Sequence, residues 1–395
     1  MNVSTKRVDV PDGKGAIVRK RILVATKDFR AGDVIYKEQP VVAVLDADLE
    51  GQGVYCSHCL RHISKDMAIR PETDLLNSAY CSKECQVNAK NHSQNILFGS
   101  ESPLPPELLS PGQTVEVPEE RRIAQEEFVK YLKSSEKSSH LLVARFIARQ
   151  VAEEIAKMTP KATDLGTSNE NNEYSLYDHI ERLRYLESEV PQEETKSLAT
   201  LFQTVLPGLD QFITDERHAT LTGKMLYNAY GVTFSGGRDD KPETTLKPED
   251  VQMTRTPYGI RRQIGTGFYT VSSYIAHSCE PSTRPSFSNG TSELHLIANH
   301  DLKEGDEITV AYVDTTQHED EDVTQARRRR RTELARGWRF ACLCDRCVRE
   351  DPGKSDAADN VSVQTDESKV EDAVKRMEER QATGTPSAGE GSQVD

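Results

Sequence analysis

The sequence predicts an α+β chain in which short strands frame a long helical stretch and two cysteine clusters act as fixed points. Three observations carry that expectation. Leu294, Leu296 and Ala298 alternate with His295 and Ile297, and Ile308, Val310 and Tyr312 alternate with Thr309 and Ala311, the period of half-buried strands. Leu141, Ala144, Ala148, Val151, Ile155 and Met158 step by three and four, which puts them on one helix face. Cys56, Cys59, Cys81 and Cys85 form one close group, and Cys342, Cys344 and Cys347 form another.

In chain order, residues 22–44 read as two short strands around a turn at 30–33. Residues 51–98 hold the first four cysteines and three histidines, His58, His62 and His92. From 119 to 230 the signal is helical, with further stretches at 176–187, 195–205 and 221–230 and a polar loop at 166–172. Strand texture returns at 265–314, with a turn at 303–306. A charged helix carrying five arginines at 327–331 leads into the last cysteines. Residues 351–395 contain eleven acidic and five basic residues, and their scarcity of large apolar side chains predicts a disordered acidic tail.

With 395 residues the chain exceeds one compact core and should fold as two or three packed units. No apolar run approaches the ~18 residues of a membrane span, so no membrane association is expected. Residues 1–20 lack the apolar core of a secretory signal, which predicts an intracellular protein. Eight cysteines in a reducing compartment favour metal sites over disulfides. The net charge of −14 argues against binding nucleic acid by bulk charge and favours a cationic partner. The tail holds −6 of it, leaving −8 for the remainder.

The cysteine spacings carry the clearest chemistry. Cys56-x2-Cys59 and Cys81-x3-Cys85 are two knuckles, which together make the closed thiolate tetrahedron that structural zinc prefers. Cys342-x-Cys344-x2-Cys347 is one ligand short. Either Cys279 closes that site across a long stretch of chain, or Cys279 is a small buried hydrophobe and a histidine or water completes it.

Three segments resemble the SET domain and post-SET zinc cluster of lysine methyltransferases. They are Tyr274-Ile-Ala-His-Ser-Cys-Glu-Pro-Ser282, Gly305-Asp-Glu-Ile-Thr-Val-Ala-Tyr312 and Trp338-Arg-Phe-Ala-Cys-Leu-Cys-Asp-Arg-Cys347. The zinc insertion after the first strands resembles the SMYD branch, where a MYND finger splits the SET domain, and within it the fungal Set-five group of histone-lysine methyltransferases. The likeness spans about 22–349. It implies a SET β-fold with a pseudoknot, a MYND-like zinc insertion, a helical insertion and a post-SET zinc cluster. The expected boundaries are 1–50 for the N-terminal SET part, 51–100 for the finger and 101–255 for the helical insertion. The C-terminal SET core follows at 256–315, the post-SET cluster at 316–350 and the acidic tail at 351–395.

The resemblance also implies site residues. Tyr312 is the catalytic tyrosine. Asn228, Ser273, Ile275, His277 and Phe340 join it in lining the S-adenosylmethionine pocket, and Trp338 borders the lysine channel. Cys56, Cys59, Cys81, Cys85, Cys279, Cys342, Cys344 and Cys347 hold two zinc ions. Three departures stand out. Ala276 and Ser282 replace two usual asparagines. The glycine turn expected directly before Leu23 is displaced, with Gly13 and Gly15 upstream and residues 16–21 either extending that turn or extraneous to it. The finger retains one ligand set of the usual two, so one zinc is expected there.

These readings predict a monomeric methyltransferase of histone-tail lysines, with the fourth core histone as substrate, working in nucleus and cytoplasm without sequence-specific nucleic-acid binding. The alternatives are a weakly catalytic scaffold that binds chromatin proteins, or a methyltransferase of non-histone lysines. The arginine run at 327–331 reads as a solvated helix face more readily than as a targeting signal.

Overall fold

A computed structural model describes residues 2–11, 17–72, 74–99, 119–158, 176–205, 208–235, 237–243, 251–257 and 261–351. The polar loop at 166–172, Gly13 and Gly15, and the acidic tail beyond 351 lie outside these residues.

β1 (Val3–Pro11) and β2 (Ile17–Ala25) form an antiparallel hairpin with Val3 opposite Ala25 and Pro11 opposite Ile17. Residues 17–21 are thus a continuation of the strand that ends at Ala25. The turn at 30–33 is present, closed by Asp33 N–H to the Arg30 carbonyl at 3.0 Å. Beyond it β3 (Val34–Glu38) and β4 (Val42–Leu45) are separate strands. Residues 22–44 therefore contribute to three strands where two were expected. Pro40, which cannot donate to a ladder, lies between β3 and β4.

The helical part runs through α1 (Lys83–Ala89), a π-helical turn at Lys90–Gln94, α2 (Asn95–Phe98), α3 (Glu119–Ser135), α4 (Ser138–Met158), α5 (Leu176–Arg182), α6 (Gln192–Gln203) and α7 (Asp215–Asn228). On α4, Leu141, Ala144 and Ala148 are buried, with Val151 and Ile155 half-buried on the same stripe. α7 starts six residues before the expected Leu221, because the Thr214 side chain accepts the Arg217 N–H and caps it there. It stops before Tyr230, which opens β5 (Tyr230–Val232).

β6 (Gly265–Phe268), β7 (Ala276–His277), β8 (Thr283–Ser286), β9 (Leu294–Ala298) and β10 (Thr309–Val310) follow, then α8 (Val323–Trp338) and α9 (Asp345–Arg349). Two antiparallel sheets have the orders β4–β6–β5 and β3–β9–β8, while β7 and β10 pair in parallel. The turn at 303–306 closes through Asp306 N–H to the Lys303 carbonyl. Residues 306–310 then lie between two neighbours: Ile308 N–H donates to Leu23 O at 2.8 Å, and Ser278 N–H donates to Val310 O at 3.0 Å.

β10 is shorter than the alternation through Tyr312 suggests. The Tyr312 N–H turns away from any ladder and donates to Nδ1 of His277 at 3.0 Å. Among the described residues, three apolar clusters form the core. β4 divides its side chains between two of them: Ala43 and Leu45 face the strand core around Tyr312, whereas Val42 and Val44 face the helical core around α4. Both faces of that sheet are therefore covered, as its unbroken apolar sequence requires. The third cluster gathers Ile63, Ala79 and Tyr80 around the first cysteines.

Candidate active site

The cysteines form two groups of four whose sulfurs lie within 4.8 Å of one another: Cys56, Cys59, Cys81 and Cys85, and Cys279, Cys342, Cys344 and Cys347. A tetrahedral site with Zn–S near 2.3 Å spaces its sulfurs about 3.8 Å apart. Here Cys59–Cys81 and Cys81–Cys85 are 3.6 Å apart, and Cys279 lies 3.8 Å from Cys342 and 3.5 Å from Cys347. Both donor sets could hold zinc, and the alternative open in the sequence is resolved: Cys279 completes the second group. No further group of this kind occurs among the described residues.

Local structure presets both sites. Ser82 caps α1 by accepting the Cys85 N–H, which fixes the Cys81–Cys85 knuckle on a helix N-terminus favourable to anions. Cys344 accepts the Cys279 N–H at 3.4 Å and donates its own N–H to the Cys342 sulfur at 3.4 Å. The histidines stand apart: His62 packs edge-on against Tyr55, and His92 Nδ1 lies 3.4 Å from Arg149.

The arginine run corrects the expectation of a solvated face. Arg327 and Arg330, three positions apart on α8, are buried. Arg327 Nε donates to the Cys347 carbonyl at 2.8 Å, and Arg330 pairs with Glu350. Their charge is used to fasten the second cysteine group.

Tyr312 sits in a set of rings. Its centroid is 5.4 Å from that of Trp338, 5.3 Å from His277 and 6.3 Å from Phe340. Its hydroxyl donates to the Ile275 carbonyl at 2.5 Å. Burial pushes the phenol above its ordinary pKa, against the pull of the nearby Arg255 guanidinium. Trp338 is also buried, its indole N–H donating to Tyr227 O at 3.0 Å. His277 accepts the Tyr312 N–H on Nδ1, and its Nε2 lies 3.3 Å from the Cys279 sulfur. Burial brings its pKa down to about 4, so the ring is neutral at pH 7.

A cleft of about 510 Å³ opens beside these rings, lined by Ala276, His277, Ser278, Thr309, Phe340 and the second cysteine loop. His277 and Phe340 thus line this cleft. Asn228, Ser273, Ile275 and Tyr312 lie in the adjoining buried layer. The Asn228 amide is occupied there: Nδ2 donates to Arg184 O and Lys224 O, and Oδ1 accepts from Arg255 at 2.9 Å. Ser273 Oγ donates to the Tyr269 carbonyl. Ser282 Oγ donates to Glu307 O at 2.9 Å and so anchors the segment leading into β10.

Two residues of this layer were not singled out by the sequence. Glu38 accepts the Val271 N–H at 2.7 Å, the Ser272 N–H at 3.0 Å and the Ser272 hydroxyl at 2.6 Å, fixing the turn that leads to Ile275. Arg255 is 1% exposed, and its Cζ stands 4.2 Å from the Tyr312 ring centroid. Neither belongs to a motif; a glutamate at a strand end and a single arginine in a polar stretch carry no periodic or spacing signal.

Comparison with known proteins gives a consistent likeness. A family model of the SET domain matches residues 20–313. The protein-lysine N-trimethyltransferase SMYD5 of Mus musculus is 25% identical over 394 residues, covering 88% of this chain and 87% of its own. The histone-lysine N-methyltransferase ASHR2 of Arabidopsis thaliana is 24% identical over 339 residues, covering 83% and 69%. The histone-lysine N-methyltransferase SET5 of Eremothecium gossypii is 35% identical over 88 residues, 22% of this chain and 16% of its own.

Proposed function

The chain belongs to the SET-domain family of protein-lysine methyltransferases, and from that premise we propose that it methylates lysines in a histone tail, with Tyr312 as its catalytic tyrosine. The family's donor, S-adenosylmethionine, supplies an electrophilic methyl on sulfur. The cleft at His277 and Phe340 is within the size range of small-molecule pockets, and it adjoins Tyr312. Phe340 offers an aromatic face to the adenine, and the Ala276–Ser278 backbone borders the rest.

The observation that carries the reading is the Tyr312 hydroxyl donating to the Ile275 carbonyl at 2.5 Å. That bond fixes the phenol oxygen and leaves its lone pairs to orient a lysine amine for in-line attack. The amine must be neutral to attack, and the positive charge that the donor's sulfur would place nearby disfavours the charged form. The eight cysteines would hold two zinc ions, and the one at Cys279, Cys342, Cys344 and Cys347 would keep the Ile275–Cys279 segment against the post-SET loop. The body's −8 charge attracts a lysine-rich tail, and the fourth core histone is the first substrate to test. Likeness to the histone-lysine N-methyltransferase SET5 of Eremothecium gossypii supports a histone substrate.

Ala276 favours a second reading, a weakly catalytic scaffold for chromatin proteins. A missing cofactor hydrogen bond costs roughly tenfold in affinity. The deciding experiment incubates the pure protein and its Tyr312→Phe variant with labelled S-adenosylmethionine and core histones. Transfer that falls about 100-fold in the variant supports the catalytic reading. Absence of both transfer and calorimetric cofactor binding in the wild-type protein overturns it in favour of the scaffold. Transfer that survives Tyr312→Phe unchanged removes the role from Tyr312.

A further inference from the structure

Tyr312 is 4% exposed, and the neighbouring cleft does not include it. Arg255 is what stands over it. The guanidinium carbon lies 4.2 Å from the Tyr312 ring centroid, 5.4 Å from Tyr230 and 5.7 Å from Tyr227. Three aromatic rings around one cation make a cage, the arrangement that favours a basic side chain taken out of water. The guanidinium donates to Tyr227 O at 3.2 Å, Ser272 O at 3.3 Å, Ser273 O at 3.2 Å and Asn228 Oδ1 at 2.9 Å. Among the described residues no carboxylate pairs with it; its charge is met by the tyrosines and by carbonyl oxygens.

The backbone tells the same story. Arg255 N–H donates to Ala229 O at 2.9 Å, Thr256 N–H donates to Tyr312 O at 3.1 Å, and Arg255 bridges Tyr230 in parallel. An extended segment has been added to a strand edge with its long basic side chain pointing inward, the mode in which a peptide is captured by β-addition.

We infer that Arg255 is an internal occupant of the substrate side-chain site, so that an incoming lysine and its flanking backbone must displace the 254–256 segment before reaching Tyr312. This rests on the reading of Tyr312 as the catalytic residue. The competent population is then a fraction of the whole, and the apparent substrate affinity is reduced by that fraction.

The test uses the full chain and three variants. Arg255→Ala empties the cage, and kcat/KM for core histones is expected to rise about tenfold. Binding of a lysine-rich histone-tail peptide, followed by calorimetry without cofactor, should tighten in parallel. Arg255→Lys places a methylatable amine in the cage. With labelled S-adenosylmethionine it should label itself at position 255, at a rate independent of protein concentration. There the S–C bond breaks with its electron pair left on sulfur, an N–C bond forms, and one amine proton leaves to water. Arg255→Met keeps the packing volume without the charge and stands in if the alanine variant loses its melting transition or its zinc.

Folded variants with unchanged kcat/KM, unchanged peptide affinity and no label at position 255, beside an active wild-type protein, overturn the inference and leave the proposed function intact. Tighter peptide binding with no methyl transfer in any form upholds Arg255 as the occupant of a lysine-binding cage and defeats the function on which its catalytic meaning rests.

Discussion

The backbone amide of Tyr312 donates to Nδ1 of His277 at 3.0 Å, and the same ring reaches the Cys279 sulfur with Nε2 at 3.3 Å. One imidazole therefore joins the proposed catalytic residue to the second cysteine group, and the metal site and the reaction site should not vary independently. Trp338 is the only tryptophan and packs 5.4 Å from Tyr312, so its fluorescence reports on this region alone. Cys347→Ser is expected to lower zinc from two ions per chain to one and to shift Trp338 emission to the red. Metal analysis with an emission spectrum checks it; two zincs retained, or one lost with no change in emission, would refute the coupling.

How much of this was legible beforehand depends on how local each signal is. The knuckles were readable because two thiolates a few residues apart can only converge on one point. The stripe on α4 was readable because burial repeats with the period of the element, and in β9 Leu294, Leu296 and Ala298 do join the strand core, although His295 between them is buried as well. Cys279 was half legible: the second group lacked a ligand, but only the fold, through contacts such as Arg346 to the Cys279 carbonyl, brings Cys279 to 3.8 Å from Cys342. Arg327 and Arg330 were misjudged although positions three apart share a helix face. Five consecutive arginines hid which two point inward. Arg255 and Glu38 were not legible, since their significance arises only from which carbonyls, amides and rings the fold delivers to them.

Arg145 ties the finger to the sheet. Its Nη1 donates to Ala43 O in β4 at 2.8 Å and to Ser57 O, beside Cys56, at 3.0 Å, while Nη2 lies 3.9 Å from the buried Oε2 of half-buried Glu50. Arg145→Met leaves two buried carbonyls and one buried carboxyl without this cation, and should cost about 3 kcal/mol. Adding Glu50→Gln should recover part of that loss. Urea titration of the single and double variants measures the coupling; strictly additive losses would show that Glu50 and Arg145 act separately.

Four helices meet at one carboxylate. Glu194 on α6 lies 2.6 Å from His140 on α4 and 3.3 Å from His218 on α7, and accepts the Tyr131 hydroxyl of α3 at 3.1 Å. Burial works to raise its pKa, but the two imidazoles bring it from the ordinary 4.5 down to about 2. A depressed folded value means stabilisation that is complete above pH 4.5 and is lost as pH falls towards 2. Glu194→Gln should remove roughly 3 kcal/mol at pH 7 and flatten the acid limb between those values. Urea midpoints at pH 7 and pH 3 for both proteins decide it: a Gln variant that loses as much on acidification as the wild type excludes Glu194 as the source.

Gly231 sits where the 254–256 segment crosses β5. A Cβ there would lie 2.5 Å from Thr256 Oγ1 and 2.7 Å from Thr254 Oγ1, and would also strike Gln263 Oε1. Both threonines are buried and β-branched, with little rotamer freedom to retreat, so the backbone that carries Arg255 must move instead. Gly231→Ala touches neither the guanidinium nor Tyr312, yet it should lift Arg255 from the cage. The variant is expected to lose about 2 kcal/mol of stability from overpacking while gaining affinity for a lysine-rich peptide, a combination that simple core damage does not produce. Thermal melting and peptide calorimetry on the same preparation supply both numbers. A variant that is less stable and binds the peptide no better would place the strain elsewhere and separate Gly231 from the occupancy of the cage.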